Sequence, residues 1–361
     1  MADLPDHLIL TADYEVFGDG SGDVSACVVE PTEAMLSVAA RHGAPVTLFV
    51  ESLEFDAMRR AATMRSGLAD GIAAVEKQIR QALRDGNDTQ LHLHPQWMGA
   101  QPVGDREWGL DFRRWRIGDL NSDEVRKTIK RGLSALEELQ GAATESPRVA
   151  FRAGAWCIQP SAHVMTALGD SGLAIDSSVA PGLFHSARGD WYDFRAAPAD
   201  HACWRQNDDV CQPAASGIWE VPIATAKISW LRHIRAKATA RLFDRGGGAA
   251  AGCSGGHAGP NTGREKLKGH LARIISAGRA MLDFSTLDGP TLIAVAEGWR
   301  NGRRADGVPL PIVAIAHSKN FTRRSAKSLE TFLEWAEGQP GLRFSTFPRW
   351  LEEAGGPGGA D

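Results

Sequence analysis

Short apolar runs alternate along this chain with stretches of helical spacing, and that alternation confines it to a parallel sheet or barrel with helices packed outside. Residues 8–10, 46–50, 149–152, 173–177, 219–223 and 311–316 read as buried strands. Pro31-Thr32-Glu33 opens a helix that Gly43 stops, and the spacing over 71–85 predicts a second. Asn121-Ser122-Asp123-Glu124 begins a third, running to about residue 140, and further helices are expected at 161–168, 264–282 and 325–337. A short strand near 343–347 ends the pattern. The aromatic-rich 97–119 and the proline- and glycine-containing 179–217 read as excursions over one end of the fold. At 361 residues the chain is expected to form a single α/β domain over 1–354. Insertions are placed at about 97–120, 179–217 and 227–263, with a disordered tail over 355–361.

A formal charge of −4 gives no reason to expect nucleic-acid binding through phosphate neutralisation. Cys27, Cys157, Cys203, Cys211 and Cys253 are scattered, without a metal-type spacing, and read as mostly free thiols in a reducing compartment. The acidic start Met1-Ala2-Asp3 lacks the features of a cleavable signal, and no apolar run approaches the roughly 18 residues that a membrane span needs. A cytoplasmic protein is therefore expected. The basic stretch 227–245 has helical spacing and reads as an outer helix with a solvated charged face, with weak membrane-surface contact as its alternative. The Gly/Ala/Ser-rich 246–263 holds too few apolar groups to order itself.

One strand ends in Leu91-His92-Leu93-His94-Pro95. Positions i and i+2 of a strand share a face, so His92 and His94 can aim at one metal ion. Neutral imidazole suits zinc and other divalent first-row metals. By the same periodicity Asp13 and Glu15 share a face at the end of the first strand, where one carboxylate can bind metal and the other take a proton. Arg152, Asp176 and His317 also fall at C-terminal strand ends, the edge where α/β enzymes gather their chemistry.

In order and surroundings these segments resemble the polysaccharide deacetylase family, the carbohydrate esterases with a NodB-homology domain. Thr11-Ala12-Asp13-Tyr14-Glu15 is similar to the family's first motif, Leu91-His92-Leu93-His94-Pro95 to its histidine motif and Phe151-Arg152-Ala153-Gly154-Ala155-Trp156 to its arginine motif. Ile175-Asp176-Ser177-Ser178 resembles the following Asp-containing strand, and Ile315-Ala316-His317-Ser318 the final histidine motif. The resemblance implies a distorted (β/α) barrel of seven units and hydrolysis of an N-acyl group, acetyl above all, on a saccharide or sugar-linked intermediate. Two departures stand out. Tyr14 occupies the place of a second adjacent aspartate, and Gln96 the place of the family's second histidine.

Glu15, His92 and His94 are accordingly expected to hold a divalent metal, zinc first, with cobalt, nickel or manganese as alternatives. Asp13 is the expected base, kept ionised and oriented by Arg152. His317 is the expected acid for the leaving nitrogen, with Asp176 orienting it and keeping it protonated. The backbone near Trp156 adds an oxyanion donor, and Trp97, Trp108, Trp115 and Trp156 are candidates to line the sugar site. Two other readings stay open: a hydrolase of the same fold acting on a cyclic imide, a ureide or a formyl group, and a non-catalytic carbohydrate-binding protein on a degenerate scaffold.

Overall fold

Strands that are covered on both faces read as unbroken apolar runs, and that is how the central strands of this protein sit. The computed structural model describes residues 4–63, 65–103, 107–141, 146–187, 189–229, 232, 275–276 and 278–355. In chain order its strands are β1 (Asp6–Tyr14), β2 (Val46–Glu51), β3 (Asp88–Leu93), β4 (Gln101–Val103), β5 (Glu107–Gly109), β6 (Ala150–Ala153), β7 (Ile175–Asp176) and β8 (Phe184–Ala187). They continue as β9 (Asp190–Asp193), β10 (Trp204–Gln206), β11 (Ile218–Glu220), β12 (Thr225–Lys227), β13 (Ile275–Ser276), β14 (Arg279–Met281), β15 (Pro311–His317) and β16 (Leu342–Phe344). Every residue of β2, β3, β6 and β15 is buried.

The main sheet runs β11-β7-β6-β3-β2-β1-β15, all seven strands parallel. An antiparallel β10 extends the β11 edge, and β16 adds to β1. Beyond β11 the chain bends across the gap: Ile223 N–H donates to Val179 O at 2.9 Å and Ala224 N–H to Val313 O on β15, also at 2.9 Å. Asp283 bridges Ile315 from the same side. The sheet therefore curls on itself and is closed by isolated bridges in place of a continuous ladder, the distorted seven-unit (β/α) barrel that the sequence resemblance implies.

Helices α1 (Glu30–Arg41), α2 (Ser52–Ala62), α3 (Ser66–Arg84), α4 (Ser122–Gln140) and α5 (Ala162–Asp170) cover the outside, followed by helices Gly289–Gly302, Arg323–Glu337 and Phe347–Glu353. α4 starts where its signal lies: Asn121 Oδ1 accepts from Glu124 N–H, and the Glu124 carboxylate accepts from Asn121 N–H in return. α2 and the helix Gly289–Gly302 go beyond the sequence expectations.

Several expectations need correction. The helix expected over 264–282 does not hold at its end, where β13 and β14 pair antiparallel and β14 pairs in turn with β12. The excursion 179–217 carries the hairpin β8–β9 and strand β10. Cys27 is disulfide-bonded, whereas Cys157, Cys203 and Cys211 are free thiols, as expected. Of the basic stretch 227–245 only Lys227, Ile228, Ser229 and Arg232 lie among the described residues; Cys253, 246–263 and 356–361 lie outside them. Among the described residues no helix is long and apolar enough to cross a membrane.

Candidate metal centre and catalytic mouth

Register brings the polar strand ends together. Asp13 on β1 lies beside His317 on β15, Glu51 on β2 beside His92 on β3, and His92 beside Arg152 on β6. The i, i+2 periodicity then carries Glu15 and His94 to the same mouth. One ligand atom from each of Glu15, His92 and His94 lies within 4.8 Å of the others, and all three residues are buried. His94 Nε2 is 2.9 Å from Glu15 Oε2, and His92 Nε2 is 3.5 Å from the same oxygen.

The donor set fits a divalent metal on the structure's own evidence. His92 Nδ1 lies 2.9 Å from the Arg152 carbonyl, which can only accept, so the ring proton sits on Nδ1 and the Nε2 lone pair faces the mouth. That buried Nε2 has no hydrogen-bond partner. A buried nitrogen lone pair without a donor is costly, and a cation is what such an atom takes. Glu15 shares its two oxygens: Oε2 faces the imidazoles, while Oε1 accepts from Lys319 Nζ at 2.6 Å. Burial alone would raise the Glu15 carboxyl, but Lys319 and His94 outweigh it and hold it well below the usual range.

Asp13 stands beside this set. Its Oδ1 accepts from Arg152 Nη1 at 2.7 Å, and its Oδ2 is 3.5 Å from His317 Nε2. Burial pushes Asp13 up, yet the charge of Arg152 beside it prevails and holds it below its ordinary value. Arg152 is fully buried and donates also to Thr11 Oγ1 at 3.0 Å, Ser177 O at 3.0 Å and Ser177 Oγ at 3.3 Å, with its guanidinium 4.0 Å over the Phe49 ring.

Asp176 is not placed to orient His317. Its Oδ1 accepts from Ser178 Oγ at 2.6 Å, and it faces the buried Glu220 of the adjacent strand β11. Burial raises Asp176 to about 6. Nor is His317 kept protonated: burial pushes it down to about 4 despite Asp13 beside it. On the His317 side the neighbouring segment supplies Ser285, whose Oγ donates to Asp283 at 2.6 Å and lies 3.4 Å from the His317 backbone nitrogen.

The tryptophans divide. Trp97 is only 1% exposed and packs edge-on to Trp108 in the core, so it presents no face to a ligand. Trp108 is partly buried, with Arg65 over its ring. Trp156 closes the mouth beside His317, ring centroids 5.8 Å apart, from a turn in which Ala155 and Trp156 both take left-handed backbone angles. Trp115 meets His94 edge-on at 5.8 Å.

The departures from the family pattern have visible consequences. Tyr14 points away from the mouth and donates to Gln78 Oε1 at 2.9 Å, so Glu15 is the carboxylate that faces the histidines. Gln96 is buried against His94 Nδ1 at 3.1 Å and thus touches a candidate ligand without joining the set. Lys319 and Glu51 go beyond the sequence expectations. Lys319, in the short turn Ser318–Asn320 after β15, donates to Glu15 Oε1, and Glu51 accepts from His94 N–H.

No family model matches the chain, and no curated protein matches it in sequence. Solved structures of similar course do exist. A "probable polysaccharide deacetylase" from Pseudomonas aeruginosa PAO1 is 11% identical at a TM-score of 0.48, covering 97% of this chain and 90% of that one. Puue allantoinase is 12% identical at 0.46, covering 97% and 90%. A carbohydrate esterase family 4 pseudoenzyme from Bacillus anthracis is 10% identical at 0.40, covering 97% and 66%. The segments that carry the resemblance in the sequence are the ones that converge at this mouth.

Proposed function

We propose that this protein is a metal-dependent hydrolase that removes an N-acyl group, acetyl above all, from a saccharide or sugar-linked intermediate. The observation that carries the reading is the meeting of Glu15, His92 and His94 within 4.8 Å, with the ionised Asp13 beside them. Zinc is the metal best suited to two imidazoles and one carboxylate. Bound there, it would supply a Lewis acid for the acyl oxygen and lower the pKa of water from roughly 15.7 to about 7.

The protein's own groups account for the proton movements. Asp13, held ionised and in one orientation by Arg152, takes the proton from the attacking water. His317 enters neutral because burial lowers it to about 4, so the proton it delivers to the leaving nitrogen arrives during turnover. Asp13 Oδ2, at 3.5 Å from His317 Nε2, is its nearest source. The buried Trp156 beside His317 limits the access of bulk water to this exchange, and the half-buried Trp115 borders it at His94.

Acetate release from N-acetylated sugars by protein stripped with a chelator and reloaded with zinc, cobalt, nickel or manganese tests the reading. Asp13→Asn is expected to bind metal and not turn over, and His92→Ala to lose both. Full activity in Asp13→Asn, or an undiminished rate after stripping, overturns it. Small cyclic amides assayed in parallel report the alternative substrate class.

A further inference from the structure

The two candidate imidazole ligands meet opposite partners at their Nδ1 atoms. His92 Nδ1 lies 2.9 Å from the Arg152 carbonyl, so its ring proton sits there and the Nε2 lone pair is presented to the mouth. His94 Nδ1 lies 3.1 Å from Gln96 Nε2. The same end of the Gln96 side chain is 3.2 Å from the Gly18 carbonyl, which can only accept, so the atom there is the amide nitrogen and not its oxygen. Facing a donor, His94 Nδ1 is an acceptor and carries no proton. The ring's one proton is therefore on Nε2, donated to Glu15 Oε2 at 2.9 Å. Two histidines that would share one cation through Nε2 thus stand in opposite tautomers.

We propose that Gln96 is a positioning residue that selects the tautomer of His94, so that His94 joins a divalent cation only when the Gln96 amide turns over. The proposal rests on the metal reading above and adds what controls the His94 ligand.

Three observations support it. First, Gln96 is fully buried and its Oε1 has no hydrogen-bond partner, although its nitrogen serves both His94 and Gly18. An orphaned buried acceptor is costly, and a turned amide cures it, because Oε1 then accepts from a proton on His94 Nδ1. Second, the ring has no room to make the change itself. A Cβ at Gly154 would lie 2.6 Å from His94 Cγ and Nδ1, and the rings of His92 and Trp115 meet it edge-on with centroids 5.1 and 5.8 Å away. The proton and the amide move instead: one proton leaves Nε2 as its lone pair is taken up, one arrives on Nδ1, and the ring stays neutral. Third, the turned amide gives up its bond to Gly18 O, a standing cost that holds the affinity for a cation down.

The test uses the full-length protein with isotope-labelled histidine nitrogens, stripped of metal and then loaded with zinc, with His94→Asn identifying the His94 signals. Nitrogen NMR should place the His94 proton on Nε2 before zinc and on Nδ1 after it, while His92 keeps its proton on Nδ1 throughout. Gln96→Glu offers only acceptors, so it should put a proton on His94 Nδ1 before any zinc is added and tighten zinc binding about tenfold or more in competition with a chromogenic chelator. A wild-type His94 proton on Nδ1 before zinc overturns the proposal, as does zinc binding that leaves that proton on Nε2. Tighter binding by Gln96→Glu without a proton on Nδ1 is the effect of charge alone and also overturns it. If no zinc binds, the metal reading fails, and the metal-free spectra of wild type and Gln96→Glu still decide whether Gln96 sets the tautomer.

Discussion

Replacing Arg152 by Met isolates the charge that holds Asp13 in place, because methionine fills much of the same volume and leaves the backbone intact. The guanidinium is fully buried and donates to Asp13, Thr11 and Ser177. Its removal leaves the Asp13 carboxylate buried without its closest cation, and the apolar packing of a methionine side chain cannot offset that. Breaking one side of a buried pair costs about 3–5 kcal/mol. For 361 residues, at about 2.1 cal/mol/K of unfolding entropy each, this corresponds to a melting-temperature loss of about 4–7 °C.

The dependence on pH has a definite sign. Asp13 is lowered in the folded state from its ordinary 3.8, so the pair's contribution is fully present above that value and is lost as pH falls through the folded pKa. Melts followed by near-ultraviolet circular dichroism should therefore show a wide gap between wild type and Arg152→Met at pH 7, narrowing toward pH 3. Adding Asp13→Asn to the variant should restore part of the loss, since no unpaired charge then remains. A melting temperature within 1 °C of wild type at pH 7, or a double variant no better than the single one, would refute this account of the buried pair.

Two substitutions probe the metal set directly. A Cβ at Gly154 would lie 2.6 Å from His94 Cγ and Nδ1, so Gly154→Ala should displace that ring and weaken zinc binding about tenfold or more, read by competition with a chromogenic chelator; unchanged affinity would count against His94 as a ligand. Lys319→Met removes a cation that touches Glu15 Oε1, and loss of like-charge repulsion should tighten zinc binding by about tenfold in calorimetric titration; weaker binding would mean that Lys319 chiefly orients Glu15.

The barrel was legible where strands covered on both faces read as short apolar runs, as β2 and β15 do; β3, with Asp88, Thr89, Gln90 and His92 buried, is not such a run. The site was legible where strand periodicity decides direction: Asp13 with Glu15, and His92 with His94, need only i, i+2 spacing to share a face. Asp176 was misread because its partner depends on which strand comes to lie alongside, and β11 sets Glu220 against it. Trp97 and Trp115 look alike in sequence; the short turn Pro95–Trp97 buries the first, while the second stays at the rim. Strand β14 was invisible because its pairing with β12 is made far along the chain, where local propensity has no say, and β13 joins it as a short local partner. Lys319 was not legible, because it lies in the short turn Ser318–Asn320 after β15, where strand periodicity no longer fixes the direction of a side chain.

Arg152 serves both halves of the proposed chemistry at once. Its carbonyl oxygen sets the tautomer of His92, and its side chain anchors Asp13, so cation capture and proton abstraction stand on one footing. A slip of β6 by a single position against β3 would turn the guanidinium outward and change the carbonyl that faces His92. The two capacities would then vanish together, which makes the alignment of these two strands the feature on which an active molecule differs from an inert one.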